Sequence, residues 1–148
     1  MERASYERFR ERIVREYAND KVKAGHWPQA ESLARSEAET AALLPAGLET
    51  PETWLWTIRD DADVELGVLW VARHAEGGPR LWIYDIEVRP EARGRGVGRA
   101  ALEALEDWAR TGGFEQIGLH VFGSNATARR LYTRMGYAEV DVAMRKDL

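Results

Sequence analysis

Apolar residues recur every three or four positions at the start of the chain: Tyr6, Phe9, Ile13, Tyr17, then Ala18 or Val22. That spacing predicts an amphipathic helix over residues 5–24. Gly25 and Pro28 break the pattern, and QAESLARSEAETAALL resumes it until Pro45 and Gly47. LETPET reads as a loop. The period then shortens: WLWTIR (54–59) and VELGVLWVAR (64–73) read as strands joined by the turn-forming DDAD. Gly77, Gly78 and Pro79 predict a second turn, and RLWIYDIEV (80–88) a third strand. A helical pattern runs from about Gly96 to Thr111 and stops at Gly112 and Gly113. QIGLHVF (116–122) predicts a fourth strand, residues 125–135 a short helix closed by Gly136, and YAEVDVAMRKDL a fifth strand. The order α-α-β-β-β-α-β-α-β predicts an α+β fold, a mixed sheet with helices packed on its faces.

The 148 residues show no internal repeat, linker or low-complexity segment, so residues 1–148 read as one domain. With 45% hydrophobic and 31% charged residues the chain has an ordinary globular composition. A formal net charge of -4 argues against nucleic acid as a partner and favours cationic ligands on average. There is no cysteine, which excludes disulfides, thiolate catalysis and cysteine-ligated zinc. No apolar run reaches the ~18 residues of a membrane span and the N-terminus lacks a signal-like apolar stretch, so a cytoplasmic location without membrane contact is expected.

One stretch does not fit a purely structural account. Between the third strand and its following helix, residues 93–99 read RGRGVGR. A helix N-terminus offers unpaired N–H groups and the positive end of its dipole. Glycines let an anion approach those amides, because no Cβ stands in the way. Arg93, Gly94, Arg95, Gly96, Val97 and Gly98 could line such a cradle, with Arg95 or Arg99 adding charge; the shape suits a pyrophosphate. The phosphate loop GxxxxGK[ST] is absent, and the dinucleotide pattern GxGxxG fails at Arg99. A plain turn carrying solvated arginines is the competing reading. An RNA-binding Arg-Gly segment is disfavoured by the net charge and by the lack of interleaved aromatics.

A second motif decides between these. The loop matches R-x-x-G-x-G in Arg93, Gly96 and Gly98, and follows a strand ending in DIEV-x-P. Downstream, N-x-x-A-x-x-L-Y-x-x-x-G-[FY] is met by Asn125, Ala128, Leu131, Tyr132, Gly136 and Tyr137. Together, over roughly residues 80–140, they resemble the acetyl-CoA-binding half of the GNAT superfamily of N-acetyltransferases. AGHW, LLPAGLETP, IYDIEV and LHVFGSN are also similar to a bacterial branch of it.

The resemblance implies acetyl-CoA as cosubstrate and direct transfer of its acetyl group to a primary amine of a small molecule or peptide. It implies a third strand that splays from its neighbour. Ile86, Glu87 and Val88 would then pair with the pantetheine arm, whose amides can extend a sheet edge. The amides from Arg93 to Arg99 would hold the pyrophosphate, and strand amides near Val88 an oxyanion. Tyr132 matches the family tyrosine that protonates the departing thiolate; its other reading is a packing residue beside Ala128, Leu131 and Met135. Asn125 is a helix N-cap that in the family also touches the cofactor.

A base must also free the amine, whose ~10.4 pKa makes deprotonation at pH 7 cost ~4–5 kcal/mol. Asp85 and Glu87 alternate along one strand, opposite Tyr84, Ile86 and Val88, and rank above His120. His120 is expected on the neighbouring strand, at a position where relatives carry glutamate. His26 and Trp27, where the first two helices bend, and the loop GLETP are candidate acceptor contacts, or else a plain turn. His74 reads as an exposed turn residue. The histidine spacing fits no metal site, so no metal is expected. The family's first strand has no counterpart in MERAS, which leaves a sheet edge that a second subunit could cover in a homodimer. The alternative to an enzyme is a silent CoA-binding sensor.

Overall fold

The alternation of short apolar runs and polar turns builds a four-stranded sheet in this computed structural model, which describes residues 1–74, 78–146 and 148. The helices are α1 (Arg3–Lys23), α2 (Gln29–Leu43), α3 (Val97–Thr111) and α4 (Ala126–Arg134). The strands are β1 (Thr53–Arg59), β2 (Glu65–Arg73), β3 (Arg80–Val88) and β4 (Gln116–Leu119). Their spatial order is β1-β2-β3-β4, antiparallel except for the parallel β3–β4 pair. The expected turn includes Gly77, which lies outside the described residues; Gly78 has a φ of 96°.

Side chains alternate between the two faces, so β1, β2 and β3 each feed two cores. Leu69, Val71, Leu81 and Ile83 pack against Leu102, Leu105 and Ala109 of α3 and against Phe114. Leu81 and Leu102 are fully buried, each contributing ~1.5–3 kcal/mol of apolar transfer energy. On the other face Leu55, Val68 and Trp70 meet Phe9 of α1 and Leu44 at the end of α2. The α1–α2 contact rests on small residues. Ser36 is buried and its hydroxyl donates to the Val14 carbonyl at 2.7 Å, which satisfies a polar group the helix pair encloses.

Three expectations change. β4 ends at Leu119 rather than 122, so His120 lies beyond the strand. Among the described residues 137–146 and 148 there is no strand, although Val140, Val142 and Met144 alternate as strand residues do. These side chains are 98%, 62% and 92% exposed. A strand needs an edge to pair with, and alternation alone cannot provide one. Finally, Trp70 is paired with Asp85 but Val71 with Ile83, so Tyr84 is the extra residue of a β-bulge. The bulge turns Tyr84 onto Trp70, with ring centroids 4.7 Å apart, and so away from the face of Ile86 expected for it.

Among the described residues no strand precedes α1. The Met1 ammonium instead donates to the Leu55 carbonyl of the edge strand β1 at 2.9 Å. His74 is half-buried, with its ring 5.1 Å from that of Trp82.

Candidate active site

The parallel pairing of β3 and β4 ends at the rung Ile83–Leu119. Beyond it residues 85–88 pair with β2 and with no second strand among the described residues. The Arg89 N–H donates to the Leu66 carbonyl at 2.8 Å. By the alternation of an antiparallel pair, the backbone groups of Glu87 then point toward β2, and those of Ile86 and Val88 toward the open side. The Val88 carbonyl there accepts from Arg93 Nε at 2.8 Å, which ties the glycine loop to the strand end. Gly67 lets β2 lie against this segment, since a Cβ there would sit 2.1 Å from the Glu87 carbonyl oxygen.

The loop after β3 opens onto the N-terminus of α3. Gly96, with a φ of 81°, is its N-cap, and Gly94 has a φ of 71°; a Cβ at either would meet nothing within 4 Å. The amide groups of Gly94, Arg95, Gly96, Val97, Gly98 and Arg99 have no acceptor within the described chain. Gly98 is packed more closely, its Cβ position 3.4 Å from Leu131 and 3.6 Å from Val88. Arg99 is paired with Glu103 at 2.8 Å, while the Arg95 side chain is exposed. Unpaired amides at a helix N-terminus are groups to which an anion can bind.

Between the parting strands lies a cleft of about 160 Å³. One wall is β3, with Asp85 and Ile86. The opposite wall is the segment after β4, with His120 and Phe122. Tyr132 of α4 closes the cleft and α1 forms its rim with Glu16 and Asp20. The side chain of Asn125 accepts from the Ala128 N–H at 3.1 Å, so this N-cap fixes the start of α4 beside the cleft. Tyr132 is pushed up to about 12 by burial and by the negative charge of Asp85, so its phenol is protonated at neutral pH. Burial also raises Asp85 above the usual carboxylate range, against the opposing pull of Arg12. The His120 imidazole is lowered by burial and by the positive charges of Lys21 and His26.

Tyr132, Asp85, Ile86, His120 and Asn125 therefore meet in one cleft. Glu87 is not among its lining residues; its carboxylate is held by Arg12 Nε at 2.7 Å. His26 and Trp27 stand one layer out. The His26 ring lies 6.5 Å from Phe122, and Trp27 packs edge-on at 5.4 Å against Tyr17, itself a lining residue. The GLETP turn packs elsewhere, with Gly47 near the Tyr6 ring and Leu48 against the core around Phe9. Sequence reasoning missed Arg12, Glu16 and Asp20. Their four-residue spacing on α1, beside the apolar stripe of Ile13 and Tyr17, was the available signal. No group of three or more His, Asp or Glu among the described residues is arranged to hold a metal ion, and no described helix is long and apolar enough to cross a membrane.

Comparison with known proteins places this geometry. The chain matches the acetyltransferase (GNAT) family over residues 11–137. It is 39% identical over 136 residues to the N-acetyltransferase YycN of Bacillus subtilis, covering 91% of this chain and 87% of that protein. The crystal structure of YycN aligns over 100% of this chain and 95% of that one, with a TM-score of 0.93 and 36% identity. The N-acetyltransferase YdgE of the same organism is 33% identical over 149 residues, covering 100% of this chain and 95% of YdgE. The fold alone is shared with AAC(6')-Iy, solved with a bisubstrate analogue of CoA and acetylneamine, at 18% identity and a TM-score of 0.58 over 91% and 90% of the two chains. The chain belongs to the GNAT acetyltransferase family and is an enzyme of the N-acetyltransferase class.

Proposed function

We propose that residues 1–148 work as a single domain that transfers the acetyl group of acetyl-CoA to a primary amine on a small cationic acceptor. The observation that carries this reading is the continuity of three features: the free amides of residues 94–99, the open edge of β3 beyond Ile83, and the cleft holding Asp85 and Tyr132. The amides and the Cβ-free approach at Gly94 and Gly96 fit a pyrophosphate. The outward backbone groups of Ile86 and Val88 fit the amides of a pantetheine arm, as a strand added to an edge would. When bound, acetyl-CoA supplies an activated thioester carbonyl.

The residues of the cleft then divide the proton work. Asp85 accepts one proton from the acceptor ammonium. Of the two carboxylates on β3 it is the one that lines the cleft, and burial raises its proton affinity. Tyr132 gives its phenolic proton to the departing sulfur and recovers one as the amide nitrogen loses its second. One proton is released overall. Glu16 and Asp20 at the rim favour an acceptor carrying positive charge. His120 provides the second reading for the base, because it lines the facing wall and its lowered pKa leaves the imidazole neutral at pH 7.

The test is thiol release from acetyl-CoA over a panel of polyamines, aminoglycosides, amino acids and peptides, with Tyr132→Phe and Asp85→Asn run in parallel. Release with cationic amines that collapses in both variants is expected. Tight acetyl-CoA binding without release over the whole panel contradicts the reading.

A further inference from the structure

We propose that Arg12 is a positioning residue for Asp85: its guanidinium, clamped between β3 and α1, fixes one oxygen of that carboxylate and leaves the other to the cleft. The inference deepens the reading of Asp85 as the base and shares its site.

Every nitrogen of the Arg12 side chain is engaged. Nη2 lies 2.5 Å from Asp85 Oδ2, Nε lies 2.7 Å from Glu87 Oε2, and Nη1 lies 2.6 Å from Glu16 Oε2. A planar fork with donors in fixed directions can bridge three carboxylates; a lysine ammonium is a single compact charge. The clamp is itself held in place. The guanidinium carbon lies 5.6 Å from the centre of the Phe9 ring, Phe9 meets Trp70 edge-on at 5.8 Å, and Trp70 stacks on Tyr84 at the bulge. That run of rings docks α1 onto β3 at the residue before Asp85. Asp85 Oδ1 has no hydrogen bond within the described chain, while Asp85 lines the cleft.

The charges facing Asp85 make this clamp consequential. Arg12 and Glu16 face it from α1, Glu87 from its own strand, and Tyr132 from α4, with His120 and Asp20 lining the same cleft. Among the described residues Arg12 is the cation that contacts Asp85. Desolvation together with Glu16 favours the neutral acid, which cannot accept a proton. Arg12 opposes both and keeps the carboxylate ionised and aimed.

The experiment follows the Asp85 carboxyl carbon by carbon-13 NMR against pH in the ligand-free protein, assigned with Asp85→Asn. In Arg12→Gln the midpoint is expected to rise by at least about one unit, a tenfold gain in proton affinity. In Arg12→Lys it should rise less. An unchanged midpoint in folded Arg12→Gln overturns the proposal. If that variant does not fold, an unchanged midpoint in Arg12→Lys overturns it. Acetyl transfer to the fastest amine of the panel adds a second readout: kcat should fall in Arg12→Lys while the KM for acetyl-CoA holds, and the acidic limb should move with the NMR midpoint. A midpoint that moves while the limb stays supports the control of Asp85 by Arg12 and removes Asp85 as the base.

Discussion

Ile83 faces Leu119 across the last rung of the β3–β4 pair, and the two strands part immediately beyond them. The parted edge and the loop of residues 93–99 lie at the same end of β3, because Arg93 is bonded back to Val88. Blocking the loop should therefore disturb cofactor binding without dismantling the sheet. Gly96→Val places a side chain at a φ of 81° and in front of the free amides. CoA affinity measured by calorimetry is expected to drop at least tenfold, about 1.4 kcal/mol. Wild-type affinity in a folded Gly96→Val protein would remove the pyrophosphate assignment.

Tyr132→Phe deletes one oxygen from a ring packed beside the α3 core. Fold and acetyl-CoA affinity should hold. Turnover should fall by about 10²–10⁴ under conditions where chemistry is rate-limiting. Unchanged turnover would make Tyr132 a packing residue.

The pH dependence has a definite sign. A base must be unprotonated, so kcat/KM should rise with pH through the pKa of the working group. For Asp85 that lies above the usual carboxylate range, and for His120 below the usual imidazole range. The two shifts converge, so the profile of one protein cannot separate them. Loss of the limb in Asp85→Asn and its survival in His120→Ala is the expected pattern; the reverse assigns the base to His120.

Stability should move opposite to activity at Asp85. Because its folded-state pKa is raised, the folded protein holds this proton more tightly than the unfolded chain does. That stabilisation is complete below the unfolded pKa and is lost as pH rises through the folded one, so the ionised form costs stability at neutral pH. Asp85→Asn is expected to match or exceed the wild-type Tm at pH 7, with the difference shrinking toward pH 4 in thermal scans. A marked loss at pH 7 would mean that the Arg12 pairing outweighs desolvation.

Gly67→Ala tests the sheet beneath the site. The added methyl would overlap the Glu87 carbonyl oxygen, a backbone atom that cannot swing aside. Chemical denaturation should show a loss of about 1–3 kcal/mol, the usual range for overpacking, accompanied by loss of activity as β3 shifts. A neutral substitution would show that β2 and β3 can separate locally.

The sequence alone determined the features that depend on near neighbours. The stripe of Phe9, Ile13 and Tyr17 specifies α1. The pair Gly112-Gly113 ends α3 and Asn125 starts α4. The RGRGVGR loop sits where free amides are unavoidable, because any helix begins with unpaired N–H groups. The family motifs are legible for the same reason: each lies on one loop or on one short helix with its caps. What only the tertiary structure decided involves partners far apart in the chain. The bulge at Tyr84 exists through the pairing of β2 with β3, and it reverses the face that simple alternation predicts for that residue. Arg12 meets Asp85 across 73 positions, which no local pattern encodes. The alternating Val140, Val142 and Met144 carry the local signature of a strand and still form none, because a strand is completed by an edge that pairs with it, and side-chain pattern alone supplies no hydrogen-bond partner.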